Sequence, residues 1–428
     1  MFFWNLFLSL GQVFLFLGFL PVGRFVYDWI YDTQFGISIG KGVFGRFPKL
    51  TYRIYPPLEN PRSMAEMDAF FRSLSANFTQ KTAKDIFVEG KWHDEFTFEI
   101  HSNGGVVQYY LTCKDYLKNN VETTLLQHYP GTVIRQCRDP FADWPDEWVK
   151  GKHPLFGNMF GGDINHVSHD INPTQIWQDF QNGSDAPDYD PVTQLISMLE
   201  TIPAKNYAVI QFVLRPWPVW ADLQKPWQAE FDKIRTELAT NASVQLDEST
   251  GRAVAFTDQE KSVLNGALRK MNGETYKMKF RFVYMMGEKE GRGLIQGKLF
   301  TFLKQFAGPN QGYRPDKDSK SSTDWGGEDH PFGWIIGAKF AEWQEKNYWQ
   351  REQYYREKRA YMGMLKRHLM TGSTPFVIDT EELAALFHFP ITSTPYGLPA
   401  LDVSRLSTDY GVNDNAALIG LPPSNLPM

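Results

Sequence analysis

Alternation and helical spacing divide the chain before any chemistry is considered. Residues Phe2 to Gly23 carry no charge. A helix of about 22 residues reaches about 33 Å, close to a hydrocarbon core of roughly 30 Å. No Lys or Arg precedes the run, and Arg24 and Phe25 follow Pro21-Val22-Gly23 at once. A cleaved signal peptide would need a basic start and a small-residue cleavage site. The reading is an uncleaved transmembrane anchor over residues 1–23, with a buried core helix as the alternative. Arg24, Lys41, Arg46, Lys49 and Arg53 all follow the run, which makes that side cytoplasmic. Tyr27, Trp29 and Tyr31 stand where an aromatic belt would sit. The expected localisation is the inner cell membrane, single-pass, with the folded part cytoplasmic. Residues 24–50, with four glycines between Gly36 and Gly45, read as a juxtamembrane connector.

Residues 51–138 carry the clearest pattern. Thr51 to Tyr55 alternates as a strand and Pro56-Pro57 ends it. Ser63 and Glu66 have capping-box spacing. Met67, Phe70, Phe71, Leu74 and Phe78 then recur on one helical face. Phe96, Phe98 and Ile100 alternate with Thr97, Glu99 and His101, the mark of a half-buried strand. Asn103-Gly104-Gly105 can turn the chain into a return strand through Val107, Tyr109, Leu111 and Cys113. Asp115 can cap a helix whose inner face is Leu117, Val121, Thr124 and Leu125. Tyr129-Pro130-Gly131 stops it before a last strand, Thr132 to Cys137. The order β-α-β-β-α-β is that of a ferredoxin-like unit.

Beyond it the pattern loosens. Asp139-Pro140, Trp144-Pro145 and Gly161-Gly162 interrupt every period, so residues 139–189 read as an irregular connector. Residues 190–310 read as a second, less regular α+β domain. It has a helix after Asp190-Pro191, a strand Tyr207 to Leu214, helices near 226–240 and 258–271, a strand Tyr276 to Met285 and a helix near 291–306. Met278, Phe280 and Phe282 share one face of the later strand. Residues 311–375 read as a charged and aromatic helical connector. Over 342–367 seven Lys/Arg stand against four Glu. Tyr348, Tyr355 and Met362 recur every seven residues, but Arg351 and Lys358 occupy the second seam of a coiled coil, which favours a solvated helix. Residues 376–428 hold a short strand Phe376 to Ile378, a helix boxed by Asp379 and Glu382, and an extended tail. The fold class is α+β: a transmembrane helix, the ferredoxin-like βαββαβ unit and the second α+β unit.

Composition narrows the function classes. The 428 residues are 42% hydrophobic with net charge −5. Such a chain builds a core and is no disordered segment, and the acidic balance argues against a surface devoted to nucleic acid. Two cysteines, Cys113 and Cys137, exclude a disulfide scaffold or four-cysteine zinc site and suit a reducing compartment.

Candidate chemistry is sparse. Gly291-Arg-Gly-Leu-Ile-Gln-Gly297-Lys298-Leu299 comes nearest to a phosphate loop. It has Arg292 where the first glycine should be, and Leu299 where a hydroxyl should reach magnesium. His166 and His169, with Asp170, Asp163 and His153 nearby, could share a metal on a helix. Gly161-Gly162 and Asn172-Pro173 argue for a loop instead, and no Glu stands between the histidines as a base. His330 could join them. No Gly-x-Ser-x-Gly elbow is present; Ser63 and Ser243 read as cap and loop residues, and Cys113 and Cys137 lie in strand patterns. The Val106 to Cys113 strand lacks the basic-Gly-aromatic signature of an RNA-reading sheet.

Several segments together resemble one family: Asn172-Pro-Thr-Gln-Ile-Trp; Asp190-Pro191 leading a helix; Tyr207-Ala-Val-Ile-Gln211-Phe-Val-Leu-Arg215-Pro216; Thr380-Glu-Glu-Leu-Ala-Ala-Leu-Phe-His388-Phe-Pro390; and Leu421-Pro-Pro-Ser-Asn-Leu-Pro427. They resemble the N-terminal, non-ATPase region of conjugative type IV secretion ATPases, of the secretion-ATPase and coupling-protein types. The 51–137 unit resembles the membrane-anchored versions of candidate-phyla bacteria. In that family the last two segments precede a motor domain with Walker motifs, and the sequence stops at Met428. The resemblance therefore implies a non-catalytic scaffold or adaptor, without cofactor, that docks a separate motor ATPase. Phe387, His388, Phe389, Pro390, Asn425, Leu426 and Pro427 are the docking residues it implies. The bilayer is a further expected partner, self-association an additional one, and direct nucleic-acid binding is not expected. Two alternatives stay open: a membrane-tethered metal-dependent hydrolase using His166, His169 and Asp170, and a nucleic-acid-binding accessory protein using the 342–367 helix.

Overall fold

Nine strands hydrogen-bond into one sheet that carries the molecule's buried surface on both faces. The computed structural model describes residues 49–57, 64–81, 93–181, 190–241, 258–287, 292–316 and 350–390. The expected anchor 1–23, residues 24–48 of the expected connector 24–50, Ser63 of the expected capping box, and the tail from 391 lie outside the described residues, whereas Lys49 and Leu50 open a strand. No helix among the described residues is long and apolar enough to cross a membrane. Leu50–Phe78 and the chain from Asp94 onward form one compact unit.

The first six elements are β1 Lys49–Tyr55, α1 Met64–Ser75, β2 Phe96–Asn103, β3 Val106–Lys114, α2 Lys118–His128 and β4 Val133–Cys137. The β2–β3 turn needs positive φ at Gly104 (56°) and Gly105 (89°), which glycine supplies without a Cβ penalty. Asp115 does not cap α2. It opens a 3-10 turn, Asp115–Leu117, and the cap positions make no side-chain cap bond. The inner face expected for α2 is buried: Val121, Thr124 and Leu125.

The second half follows the same plan with an insertion. It comprises β5 Asn158–His166, α3 Pro191–Glu200 and β6 Asn206–Pro216. The inserted helices are α4 Val219–Asp222, α5 Gln224–Asn241 and α6 Asp258–Asn272. Then come β7 Thr275–Met286, α7 Arg292–Lys304 and β8 Tyr313–Pro315. The sheet runs β4-β1-β3-β2-β6-β7-β5-β8. From the first edge inward the order is first-half strand four, one, three, two. From the other edge inward, β8-β5-β7-β6 is the same permutation. The halves meet where β2 and β6 pair antiparallel, Phe96 opposite Leu214 and Asn103 opposite Tyr207.

The last elements are α8 Gln350–Lys366, β9 Phe376–Asp379 and α9 Thr380–Leu386. β9 pairs with the start of β7, Thr275 opposite Asp379, continuing the edge that β5 leaves at Phe280.

Two expectations are corrected here. The stretch 139–189 is not simply an irregular connector, because it supplies β5. Gly161-Gly162 breaks no strand: both residues are extended, and a Cβ on Gly161 would strike the Phe282 carbonyl of β7. Glycine stands there because the two backbones approach closely. The 342–367 segment is not a solvated helix over its described part. Ala360, Tyr361 and Met364 of α8 pack with Val209, Val283 and Met285 beneath the sheet.

One sheet face meets α1, α2, α3, α7 and α9 through a single aromatic and aliphatic core that includes Phe70, Phe98, Phe212 and Phe282. The opposite face meets α8 and the 139–156 loop, whose Trp148 is fully buried and donates to Glu357 at 3.1 Å.

Candidate functional site

The polar residues of that opposite face line up across the sheet. Strand register sets Tyr110 beside Glu99, Glu99 beside Gln211, Gln211 beside Arg281, and Arg281 beside Asp163. The side chains then bond along the row. Gln211 donates to Glu99 at 2.6 Å, and Arg281 donates to Gln211 at 2.7 Å and to Asp163 at 2.8 Å. Four strands from both halves are thereby tied by charge-assisted bonds in a dry setting.

The segment after α8 closes over the row. Arg367 has positive φ (47°), donates Nε to Glu99 at 2.8 Å, and grips Asp139 with both terminal nitrogens at 2.6 and 2.8 Å. Arg281 also reaches the Thr371 carbonyl at 2.7 Å. The Ser373 amide donates to Asp163 at 2.7 Å, and Lys279 donates to the Ser373 carbonyl. Two glycines permit the closeness: a Cβ on Gly363 would lie 2.7 Å from the Arg281 guanidinium, and one on Gly372 would collide with the Asp163 carboxylate.

The charges answer one another. Burial alone would raise Glu99, but Arg367 and His101 override it and hold the carboxyl down to about 2. Asp163 is likewise lowered against its own burial by Arg281 and Lys279. Burial pulls Lys279 down to about 8. His101 bridges Glu99 at 3.2 Å and the Tyr207 hydroxyl at 2.7 Å. Buried charges matched in this way fix a geometry.

A second polar cluster seats α9 between the halves. Glu381 pairs with Arg72 of α1 at 3.1 Å and Arg269 of α6 at 2.9 Å. Glu382 and Lys270 are both 0% exposed and 2.8 Å apart. Glu382 also accepts from the Thr174 amide and hydroxyl, at 2.5 and 2.9 Å, and completes the expected capping box with Asp379. Burial beside Glu382 pushes Asp379 up to about 8.

The candidate metal ligands separate. His166 and Asp170 do meet, Nδ1 to Oδ1 at 2.9 Å, and Asp170 in turn accepts from the Val377 amide. Burial lowers His166, whose ring lies 4.1 Å from that of Phe376. His169 instead turns toward Trp227, ring centroids 6.4 Å apart, and accepts from the Ile171 amide. Asp163 belongs to the row. His153 sits among Trp144, Trp148 and Phe156. His330 lies outside the described residues. Among the described residues no three His, Cys, Asp or Glu side chains gather as a metal would require. Gly297 and Lys298 lie within α7, and Lys298 donates to Thr201 at 3.1 Å.

The implied docking residues are buried in the chain's own core. Phe387 packs on Phe98 and Phe212 at 5.2 and 5.7 Å, and Phe389 on Tyr129 at 5.1 Å. His388 is 0% exposed and bonds Asp190 at 2.9 Å. Pro390 closes the described segment. Asn425, Leu426 and Pro427 lie outside it.

A cavity of about 340 Å³ opens on the helical face between β5 and α7, lined by Phe160, Ile164, Phe282, Gln296, Leu299 and Phe300. Gln296 and Asp163 are the polar residues of a lining that is otherwise apolar.

Sequence reasoning missed the row. Its signal was Lys277, Lys279 and Arg281 alternating within an otherwise oily strand. The alignment of four strands that pairs them is a long-range property. No family model matches the chain. No curated protein matches it.

Proposed function

We propose that this chain is a non-catalytic, membrane-anchored scaffold of a conjugation-like type IV secretion machine that docks a separate motor ATPase. The observation that carries the reading is the closed pairing of Asp163, Arg281, Gln211, Glu99, Arg367 and Asp139 across both halves of one sheet. Charges committed to one another in this way stiffen a platform. The finer fold belongs to the same reading: two ferredoxin-like units joined through their second strands, the later one enlarged by α4 to α6. The secretion assignment rests on the sequence segments quoted above, and the anchor on the uncharged run Phe2 to Gly23. Confinement to a membrane surface would raise the effective concentration of partners.

The test uses full-length protein purified in detergent. It should stay in the membrane fraction until detergent is added and should hydrolyse no ATP. It should also bind a purified type IV secretion ATPase from the same genome. Recovery from the aqueous fraction, turnover that survives purification, or no binding to the motor would each count against the proposal.

A further inference from the structure

The two nitrogens of His388 face two different oxygens that can only accept. Nδ1 lies 2.9 Å from the carbonyl of Ala384, one turn back at the end of α9. Nε2 lies 2.9 Å from Oδ1 of Asp190, the residue that caps α3. A carbonyl has no proton to give. Asp190 is engaged as a carboxylate, accepting from the Val192 and Thr193 amides at 2.8 and 3.0 Å and from the Thr193 hydroxyl at 2.8 Å. Both contacts are satisfied together only when both ring nitrogens donate, and an imidazole that donates twice is a cation.

The other two buried histidines with carboxylate partners differ. His101 has Glu99 on one nitrogen and the Tyr207 hydroxyl on the other, and that hydroxyl can donate. His166 has Asp170 on one nitrogen, and its other nitrogen meets no hydrogen-bond partner. Neither arrangement obliges both nitrogens to donate. His388 is also placed where a cation belongs, beyond the carbonyl end of one helix and against the anionic cap of another.

We propose that a doubly protonated His388 is a proton-operated catch that fastens the chain after α9 to the start of α3. Loss of one proton sets a lone pair against an oxygen in a site without water-facing surface, and that repulsion opens the contact. Asp190 faces the ring directly. Behind it stands the Tyr109 phenol, whose proton is retained by burial and by Asp190. On its own helix, Glu381 is engaged with Arg72 and Arg269, and Glu382 with Lys270. Phe387 and Phe389 flank the catch in the core, so its release would free two aromatic side chains together. The catch depends on these contacts alone, whether or not the chain is a scaffold.

The experiment follows the histidine ring nitrogens by NMR in full-length, ¹⁵N-histidine-labelled protein, with hydrogen exchange measured in parallel as pH is raised. While the contact with Asp190 is closed, His388 should carry protons on both nitrogens. Exchange of the 387–389 and 192–195 amides, corrected for intrinsic pH dependence, should rise at least tenfold as that proton is lost. His388→Gln should exchange fast at these amides at every pH. Should that variant fail to fold, Asp190→Asn keeps a capping oxygen while removing the anion, and it should move the proton loss to lower pH. A single neutral tautomer with the contact closed, exchange indifferent to the proton, or a proton loss unmoved in Asp190→Asn would each overturn the proposal.

Discussion

Arg367 Nε and Glu99 Oε1 stand 2.8 Å apart, joining the last turn after α8 to the second strand of the first half. Neither side chain is more than 3% exposed. Removing one partner leaves the other charge buried, so Arg367→Met should cost about 3–5 kcal/mol of stability. In a double-mutant cycle with Glu99→Gln, urea denaturation should show the two losses to be strongly non-additive. A cost below about 1 kcal/mol for Arg367→Met would mean the pair does not hold this face together.

Gly363→Ala should run against helix propensity. In an exposed helix interior the change gains about 1 kcal/mol. Here the new methyl meets the Arg281 guanidinium at 2.7 Å, so a loss of about 1–3 kcal/mol is expected. Thermal melts decide the sign, and exchange along 350–366 should accelerate.

Acid should loosen the row. Glu99 is held at about 2, against an ordinary 4.5, by Arg367 and His101 overriding burial. A depressed carboxylate contributes stability that is complete above 4.5 and fades as pH falls toward 2. Asp163, also lowered, adds in the same direction. Denaturation midpoints should therefore drop steeply below pH 4.5, and Glu99→Gln should flatten that limb.

Asp379 has the opposite sign. Its folded value, raised to about 8 by burial beside Glu382, exceeds its ordinary 3.8. Its contribution is greatest below 3.8 and declines as pH rises to about 8. Asparagine caps a helix as well as aspartate. Asp379→Asn should therefore gain stability relative to wild type between pH 5 and 8, with the gap widening as pH rises. A gap that narrows toward pH 8 would contradict this assignment.

The metal-hydrolase alternative makes a cheap contrast. With His166 and His169 turned apart, elemental analysis of purified protein should find no stoichiometric zinc or manganese. His166→Ala should change stability and not metal content.

Legibility followed the covering of each surface. The elements from Thr51 to Cys137 could be read because oily residues alternate along the strands and recur along the helices, and Met67, Phe70, Phe71 and Leu74 are all buried as their spacing demanded. β2 is nevertheless not the half-buried strand expected, since Thr97, Glu99 and His101 are buried as well. β5 was hidden because Gly161-Gly162 resembles a break when the strand it approaches is unknown. α8 was misjudged because Glu357 and Arg367 look solvated in a list of charges, yet one accepts from Trp148 and the other lies against Glu99. Phe387 and Phe389, expected to dock a partner, are instead buried within the chain's own core. Their partners Phe98, Phe212 and Tyr129 are far away in sequence, and no local pattern names them.

The β2–β6 seam pairs residues more than a hundred positions apart, with Phe96 against Leu214. A ribosome adding about 5–20 residues per second needs on the order of 5–20 s to deliver the second strand after the first. Throughout that interval the growing polypeptide offers an unsatisfied backbone ladder beside Phe98 and Ile100, the kind of edge that invites aggregation. Biogenesis of this protein should accordingly depend on a holding chaperone, and synonymous codons that slow translation between the two strands should lower the yield of folded protein when that chaperone is depleted.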